Sequence, residues 1–182
     1  MIASRAVVAE GQFSAAHYAQ RKRYTHGRDW FLLEVYMGTI NVRRVIAGGL
    51  LAGLVINAFE FAVNGVWLAK QWEAAMQALG KASATGAAQI VVYNVWGFVM
   101  GVFAVWVYAA IRPRFGPGPK TAAVAALAAW LPGYLLSLIP PAVMGMFPMQ
   151  LMVISAAVGL VEVLLGTELG AYLYREETPS PA

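Results

Sequence analysis

The sequence predicts an all-α membrane protein, a bundle of four transmembrane helices with both termini in the cytoplasm. Three observations support this fold class: a very apolar composition, four apolar stretches of bilayer-crossing length, and basic residues gathered beside those stretches. Hydrophobic residues fill 60% of the 182 positions, charged residues fill only 12%, and the mean hydropathy is +0.62. A soluble chain this short would show helices with one polar face, which these stretches lack. The lipid bilayer is therefore the first expected partner.

The four apolar stretches reach, or nearly reach, the roughly 20 residues that a bilayer requires. Spans one to four are expected at residues 45–68, 87–111, 121–139 and 148–174. Between spans one and two, Trp72, Met76 and Leu79 recur at helical spacing, which predicts a short helix lying at the membrane interface. The linker between spans three and four is short and uncharged, so these spans should be antiparallel neighbours.

Prolines mark further expected boundaries. The segment at residues 112–120 is rich in proline and glycine, which predicts that span two ends at Ile111. Pro132 predicts a kink in span three, because proline leaves a backbone carbonyl without its helical donor. Pro140 and Pro141 predict a second interruption of the same helix.

The distribution of lysine and arginine sets the expected orientation. Of the 13 such residues, seven precede Val45, three lie at residues 112–120 and one follows Tyr174, whereas only Lys70 and Lys81 fall on the opposite side. By the positive-inside rule both termini are cytoplasmic. The formal charge of +4 is explained in this way by topology, so no nucleic acid partner is expected.

The two ends of the chain are expected to lie outside the membrane domain. Residues 1–36 are polar and basic and lack the apolar core of a signal peptide, which indicates a cytoplasmic tail. Because the coherent pattern begins near Met37, one hypothesis is that translation starts there and that the preceding stretch is a mis-annotated start. Residues 37–176 are expected to form the transmembrane domain, and residues 177–182, which contain two prolines, a disordered tail.

Two carboxylic acids lie deep in the predicted membrane domain. Glu60 falls near the middle of span one and Glu162 near the middle of span four, and no lysine, arginine or histidine lies at comparable depth. A carboxylate in hydrocarbon costs roughly 2.5 to 3.5 kcal/mol on insertion scales, so such groups normally face a bundle interior or a wet cavity. At 1.5 Å per residue both glutamates should lie at nearly one level.

Small residues recur at helical spacing on the same faces as these glutamates. Such stripes let helix backbones approach closely, so they predict helix contacts, and in particular that spans one and four pack together. The expected helix-packing residues are Gly49, Gly53, Gly97, Gly101, Gly159 and Gly166.

The polar residues of all four spans are expected to form one cluster in mid-membrane. Its predicted members are Asn57, Glu60, Tyr93, Asn94, Tyr134, Ser137 and Glu162. In a structural interpretation, neutral carboxyl groups form hydrogen bonds that hold the helices together. In a functional interpretation, the two carboxyl groups share protons or bind a cation during transport. A third interpretation has the polar residues facing a partner subunit or lipid headgroups.

Motifs for enzymatic chemistry are missing from the sequence. It has no cysteine, no GxSxG motif and no glycine-rich phosphate loop, and its two histidines have no spacing typical of a metal site. We therefore expect no catalytic residues, no metal site, no cofactor and no enzyme activity. The sequence leaves open whether the chain forms a homodimer or binds a partner in a membrane complex.

Two stretches carry a resemblance to known proteins. Residues 52–60 (AGLVINAFE) and residues 108–120 (YAAIRPRFGPGPK) resemble a group of small bacterial four-span inner-membrane proteins of unassigned function. The resemblance implies a multi-pass protein of the bacterial cytoplasmic membrane and carries no activity. The chain is also loosely similar to the small multidrug transporters, which have four short spans and an essential glutamate in the first. That match stops at Glu60, because Glu162, the longer first linker and the Pro140–Pro141 pair depart from the pattern.

Two functions follow as expectations. The first is a structural, accessory or binding component of the inner membrane. The alternative is a proton- or cation-coupled small-solute transporter in which Glu60 and Glu162 are the coupling groups.

Overall fold

A computed structural model describes residues 40–81 and 86–175, and in these ranges the chain forms four long apolar helices and one short helix. Neither range contains a β-strand, so the predicted all-α class with four membrane-crossing helices is confirmed. The expected N-terminal tail, the start at Met37 and the expected C-terminal tail lie outside the described residues.

The four spans are longer than, or close to, their predicted lengths. They run Val42–Trp67, Ala87–Phe115, Pro119–Val143 and Met149–Leu173. Each has at least 25 residues, which at 1.5 Å per residue exceeds the thickness of a hydrocarbon core of roughly 30 Å. The spans can therefore tilt, or extend into the interfaces.

Span one changes its helical geometry halfway. Asn41 caps its N-terminus, since the Asn41 side chain accepts a hydrogen bond from the Arg44 amide at 3.0 Å. An α-helix then runs Val42–Glu60 and continues as a π-helix over Phe61–Trp67. The change of geometry occurs directly after Glu60.

The short helix predicted between spans one and two is present as Ala69–Ala78. Its residue Ala75 is buried with Leu68 and Leu151, at the ends of spans one and four. Trp72 extends this contact with an edge-to-face packing of its ring against Phe147, with 5.4 Å between the ring centroids. The helix therefore covers one end of the pair formed by spans one and four.

The predicted end of span two at Ile111 is wrong, because the helix continues through Pro113 to Phe115. A proline in the last turn removes only one helical hydrogen bond, which a helix of 29 residues tolerates. Gly116, with a φ of +82°, ends the helix, since this backbone conformation is readily accessible only to glycine.

Span three departs from regular α-helix at Pro132 but is not interrupted at the later prolines. An α-helix over Pro119–Trp130 is followed by a π-helix over Leu131–Leu136, which contains Pro132. The predicted break at residues 140–141 is wrong, because both prolines lie inside a helix that runs Ser137–Val143. These prolines lie in the last two turns of the span, which ends at Val143, so each removes only one helical hydrogen bond near a helix end.

Small residues set the packing of the bundle. Span one packs against spans two and four, span three packs against the same two spans, and spans two and four also meet. A Cβ added at Gly101 of span two would lie 2.7 Å from the Gly53 Cα of span one. A Cβ at Gly166 of span four would lie 2.9 Å from the Ala52 carbonyl oxygen of span one. The backbones therefore touch, as the small-residue stripes predict.

The remaining glycines of the predicted packing set also lie at helix contacts. Gly49 and Gly97 lie between spans one and two, and Gly159 lies against the ring of Tyr134 from span three. Large side chains point the other way: Leu50 and Leu54 of span one are exposed on the outside of the bundle. Small residues therefore lie at the closest helix contacts, and many large apolar side chains face outward.

The bundle is packed more tightly at one end than at the other. We call one half of the bundle the basic half: it extends from the helix ends near Arg43, Arg112 and Lys120 to the level of Glu60. We call the other half, from that level to the helix Ala69–Ala78, the linker half. In the basic half all four spans contribute fully or nearly fully buried residues.

In the linker half the spans bury much less. The π-helix Phe61–Trp67 and the later part of span three, residues 131–143, contain no buried residue. In span two every residue from 87 to 96 is exposed. Buried side chains in this half come from Leu151 and Met152 of span four, from Leu68 directly after span one and from Ala75 of the short helix. Beyond the level of the two glutamates, spans two and three are therefore largely uncovered, whereas the ends of spans one and four still pack against the helix Ala69–Ala78.

Candidate functional site

The structure brings Glu60, Tyr134 and Glu162 together at the boundary between the two halves. The Tyr134 hydroxyl donates a hydrogen bond to Oε1 of Glu162, and the same hydroxyl lies 3.4 Å from Oε1 of Glu60. The three residues come from spans three, four and one, so a single hydroxyl joins three helices. The two carboxyl groups therefore lie within about 6 Å of each other.

The number of hydrogen bonds in this triad depends on whether one of the two carboxyl groups carries a proton. A phenol carries one hydrogen, and Tyr134 directs its own to Glu162. The contact between Tyr134 and Glu60 becomes a second hydrogen bond when Glu60 carries a proton that it can donate to the phenol oxygen. The arrangement thus accommodates one carboxylic acid and one carboxylate.

The second oxygen of Glu60 is held by polar groups of the linker half. Asn64 Nδ2 donates to Glu60 Oε2 at 2.6 Å, and Asn64 Oδ1 accepts from the Trp72 indole at 2.9 Å. Ser155 Oγ of span four also lies 3.4 Å from Asn64 Oδ1. This chain of contacts extends from Glu60 away from the basic half.

The second oxygen of Glu162 has no such support. Glu162 is 0% exposed, and its Oε2 is a buried atom without a hydrogen-bond partner among the described residues. An unpartnered buried polar group costs roughly 1 to 3 kcal/mol, more when it is charged. Protonation of Glu162 removes its charge and thereby lowers this cost.

Within the described spans, no positive side chain lies at this level to replace that proton. The sequence contains no lysine, arginine or histidine between residues 45 and 69, 82 and 111, or 121 and 174. In the described part of the chain no three histidine, cysteine, aspartate or glutamate side chains come together as a metal site. Two carboxyl groups and a phenol are suited to hold a proton or a monovalent cation.

Asn57 and Asn94 form a separate contact between spans one and two. Asn57 Nδ2 donates to the Asn94 backbone carbonyl at 3.1 Å, and Asn94 Nδ2 donates to the Ile90 carbonyl at 2.8 Å. Gly97 makes room for this contact, since a Cβ at Gly97 would lie 2.8 Å from Asn57 Cγ. Asn57 therefore faces span two, whereas Glu60, three residues later, faces spans three and four.

The other two predicted members of the cluster lie elsewhere. Tyr93 is 58% exposed on the outer surface of span two. Ser137 is exposed and donates to carbonyls of its own helix, Gly133 at 2.9 Å and Tyr134 at 2.8 Å. Of the seven predicted residues, three meet at the triad, two form the asparagine contact, and two lie outside both.

Asn64, Trp72 and Ser155 belong to the site but were not among the predicted cluster residues. Asn64 was detectable, since it follows Glu60 by four residues and therefore lies on the same helix face. Trp72 was not detectable from the sequence, because its contact with Asn64 depends on how the helix Ala69–Ala78 folds back over span one.

Both π-helical segments border this site. Glu60 immediately precedes one of them, and Tyr134 lies inside the other. A π-helix is rare, and when it occurs it frequently lies at a functional site, because its wider turn changes the direction of the side chains. Here the two π-helical segments contain Asn64 and Tyr134, and both of these residues contact Glu60.

No protein-family model, no curated protein and no solved structure matches this chain. The resemblance to small bacterial inner-membrane proteins therefore stays a prediction, and the roles of the residues rest on their geometry alone.

Proposed function

We propose that this chain is a multi-pass protein of the bacterial cytoplasmic membrane that works without catalysis, as a structural, accessory or binding component. The observation that carries the proposal is the Tyr134 hydroxyl, which contacts carboxyl groups of two other spans inside the bundle. Hydrogen bonds between membrane helices contribute about 0.6 kcal/mol on average and up to about 1.7 kcal/mol. Together with the glycine contacts, such bonds fix one arrangement of the spans.

A second candidate function is a proton- or cation-coupled transporter of small solutes. Two observations favour it: Glu162 Oε2 has no hydrogen-bond partner among the described residues, and Glu60 is only half-buried. A group that serves only as a helix contact would be expected to have all of its polar atoms paired. A group that binds and releases a proton or cation needs a free acceptor and a route to solvent.

A flux assay separates the two candidates. The full chain is reconstituted in liposomes that contain a pH-sensitive dye, with the membrane potential clamped, and a pH jump is applied. The structural proposal predicts the same slow pH equilibration in wild type, in the double variant Glu60→Gln/Glu162→Gln and in empty liposomes. The transport proposal predicts faster equilibration in wild type that the double variant loses and that the control variant Ser137→Ala retains.

A further inference from the structure

The route by which a proton can reach the carboxyl pair is asymmetric. In the basic half, the layer next to the triad consists of the apolar side chains of Ile56, Met100 and Val163, packed with alanines of spans two and three. Beyond it, Gly48 and Gly170 bring the backbones of spans one and four into contact. The layer itself contains no polar side chain, and the Thr167 hydroxyl, buried in this half, has no hydrogen-bond partner among the described residues, so no chain of hydrogen bonds leads from Glu162 through it toward the basic end.

Polar groups lie on the other side of the triad. Asn64, Trp72 and Ser155 form hydrogen bonds in the linker half and lead from Glu60 toward the end of the bundle. In that half, three of the four spans contain long stretches without a buried residue. The side of the triad toward the linker half therefore carries polar side chains, with the apolar cluster of Leu68, Ala75 and Leu151 at its end, whereas the other side is close-packed hydrocarbon.

The two carboxyl groups differ in depth along this direction. Glu60 is half-buried and hydrogen-bonded to the polar groups of the linker half, whereas Glu162 is 0% exposed. The Tyr134 hydroxyl stands between them. Each span supplies at most one titratable group at this level, and span two supplies none, since Tyr93 points outward and Tyr108 lies in the basic half.

We propose that Glu60, Tyr134 and Glu162 form one proton-binding site that exchanges with solvent through the linker half only. Glu60 receives the proton, and Tyr134 passes one on to Glu162. In this step the O–H bond of Glu60 breaks as an O–H bond forms at the phenol oxygen. The original phenol hydrogen moves to Glu162 Oε1, so Tyr134 is unchanged and the negative charge moves from Glu162 to Glu60.

The proposal deepens the second candidate function, because a proton-coupled transporter needs such a site, but it can be tested without flux. In the full chain reconstituted in lipid, infrared spectroscopy follows the C=O band of a protonated carboxyl group, which shifts when deuterium replaces its hydrogen. The band that disappears in Glu60→Gln belongs to Glu60, and the band that disappears in Glu162→Gln belongs to Glu162. Transfer into D2O then gives an exchange rate for each residue.

We expect the exchange rate at Glu162 to depend on Glu60, and the exchange rate at Glu60 not to depend on Glu162. Exchange at Glu162 slows by at least about tenfold in Glu60→Gln and in Tyr134→Phe, a factor equivalent to about 1.4 kcal/mol of added barrier. Exchange at Glu60 stays fast in Glu162→Gln, and Ser137→Ala changes neither rate. If Glu162 exchanges at the wild-type rate in Tyr134→Phe, the proposal is overturned, and this variant serves even if Glu60→Gln does not fold.

The direction of access has its own test. The chain has no cysteine, so a single introduced thiol can be probed with a charged, water-soluble thiol reagent. Ser155→Cys in the linker half is expected to react, and Ala129→Cys, at a 0% exposed position of the basic half, is expected to stay unmodified. Reaction at Ala129→Cys without reaction at Ser155→Cys would overturn the proposed route.

The outcomes also separate this proposal from the transport function. Exchange through the linker half without any flux in the pH-jump assay would contradict the transport function and would still support the proton-binding site. Proton flux together with equal exchange rates at Glu60 and Glu162 would support a transporter. It would contradict the proposed order, in which Glu60 receives the proton before Glu162.

Discussion

At the scale of single residues, two fully buried polar side chains of span four have opposite surroundings. Glu162 contacts Tyr134 and, through it, Glu60. Thr167 is also 0% exposed, but its Oγ1 has no hydrogen-bond partner among the described residues. Burial alone therefore does not identify a polar residue that holds the bundle together, and the presence of a partner does.

A double-mutant cycle measures the contact between Tyr134 and Glu162. We expect Tyr134→Phe and Glu162→Leu each to destabilise the bundle, because each leaves a partner without its hydrogen bond, at roughly 1 to 3 kcal/mol. The double variant should recover about 0.6 to 1.7 kcal/mol of the summed effect. Reversible unfolding in mixed detergent micelles provides the free energies.

Thr167→Val is the matched control for that cycle, since it removes a buried hydroxyl without a partner and keeps the shape of the side chain. Its effect should be within about 0.5 kcal/mol of zero, or stabilising. A loss as large as that of Glu162→Leu would mean that burial, and not pairing, determines the contribution of these polar groups.

At the scale of elements, the sequence could predict the spans but not the details of their geometry. Four apolar stretches and the glycine stripes on spans one and four suffice to place the helices and to pair these two. The ends of the helices were less predictable: a proline near a helix end removes only one or two hydrogen bonds, so Pro113 and the pair at residues 140–141 stay helical.

The sequence could identify a residue of the candidate site only from features of that residue's own helix, such as its depth in the span. Glu60 and Glu162 were identifiable from their depth alone. Tyr93 was not, because the 3.6-residue period tells which residues share a face but not which neighbour, if any, that face meets. The first part of span two, residues 87–96, is exposed because the other spans cover little of it, and the period of a single helix does not reveal this.

A glycine substitution tests the close contact between spans one and two. Gly101→Ala should destabilise the bundle by about 1 to 3 kcal/mol, because the added methyl group would overlap the Gly53 backbone and force the helices apart. Gly65→Ala is the matched control, since the nearest atom to its Cβ is Phe61 Cδ2 at 3.4 Å, an ordinary contact. Equal melting temperatures of the two variants would show that the approach of spans one and two does not limit stability.

At the scale of the whole molecule, the distribution of charge predicts how the bundle lies in the membrane. The described arginines at positions 43, 44, 112, 114 and 175 and Lys120 lie at the end of the basic half, and Lys70 and Lys81 at the end of the linker half. The positive-inside rule predicts that the basic half faces the cytoplasm. The linker half, with its route to Glu60, would then face the outside of the cell.

Single cysteines on the two ends test this orientation in intact cells. Because the chain has no native cysteine, Lys81→Cys should react with a membrane-impermeant maleimide added outside. Lys120→Cys should react only after the cells are opened. Labelling in the reverse order would place the basic half outside and would invert the direction from which protons reach the carboxyl pair.

The exposed first part of span two also affects how the molecule fills a bilayer. Every residue from 87 to 96 is exposed, Trp96 among them, because the other spans cover little of this part of the helix. In a bilayer, acyl chains would fill the space that a neighbouring span occupies elsewhere in the bundle. The fatty-acid composition of that leaflet would then determine the surroundings of these ten residues, whereas the surroundings of span two in the basic half are determined by alanine and glycine.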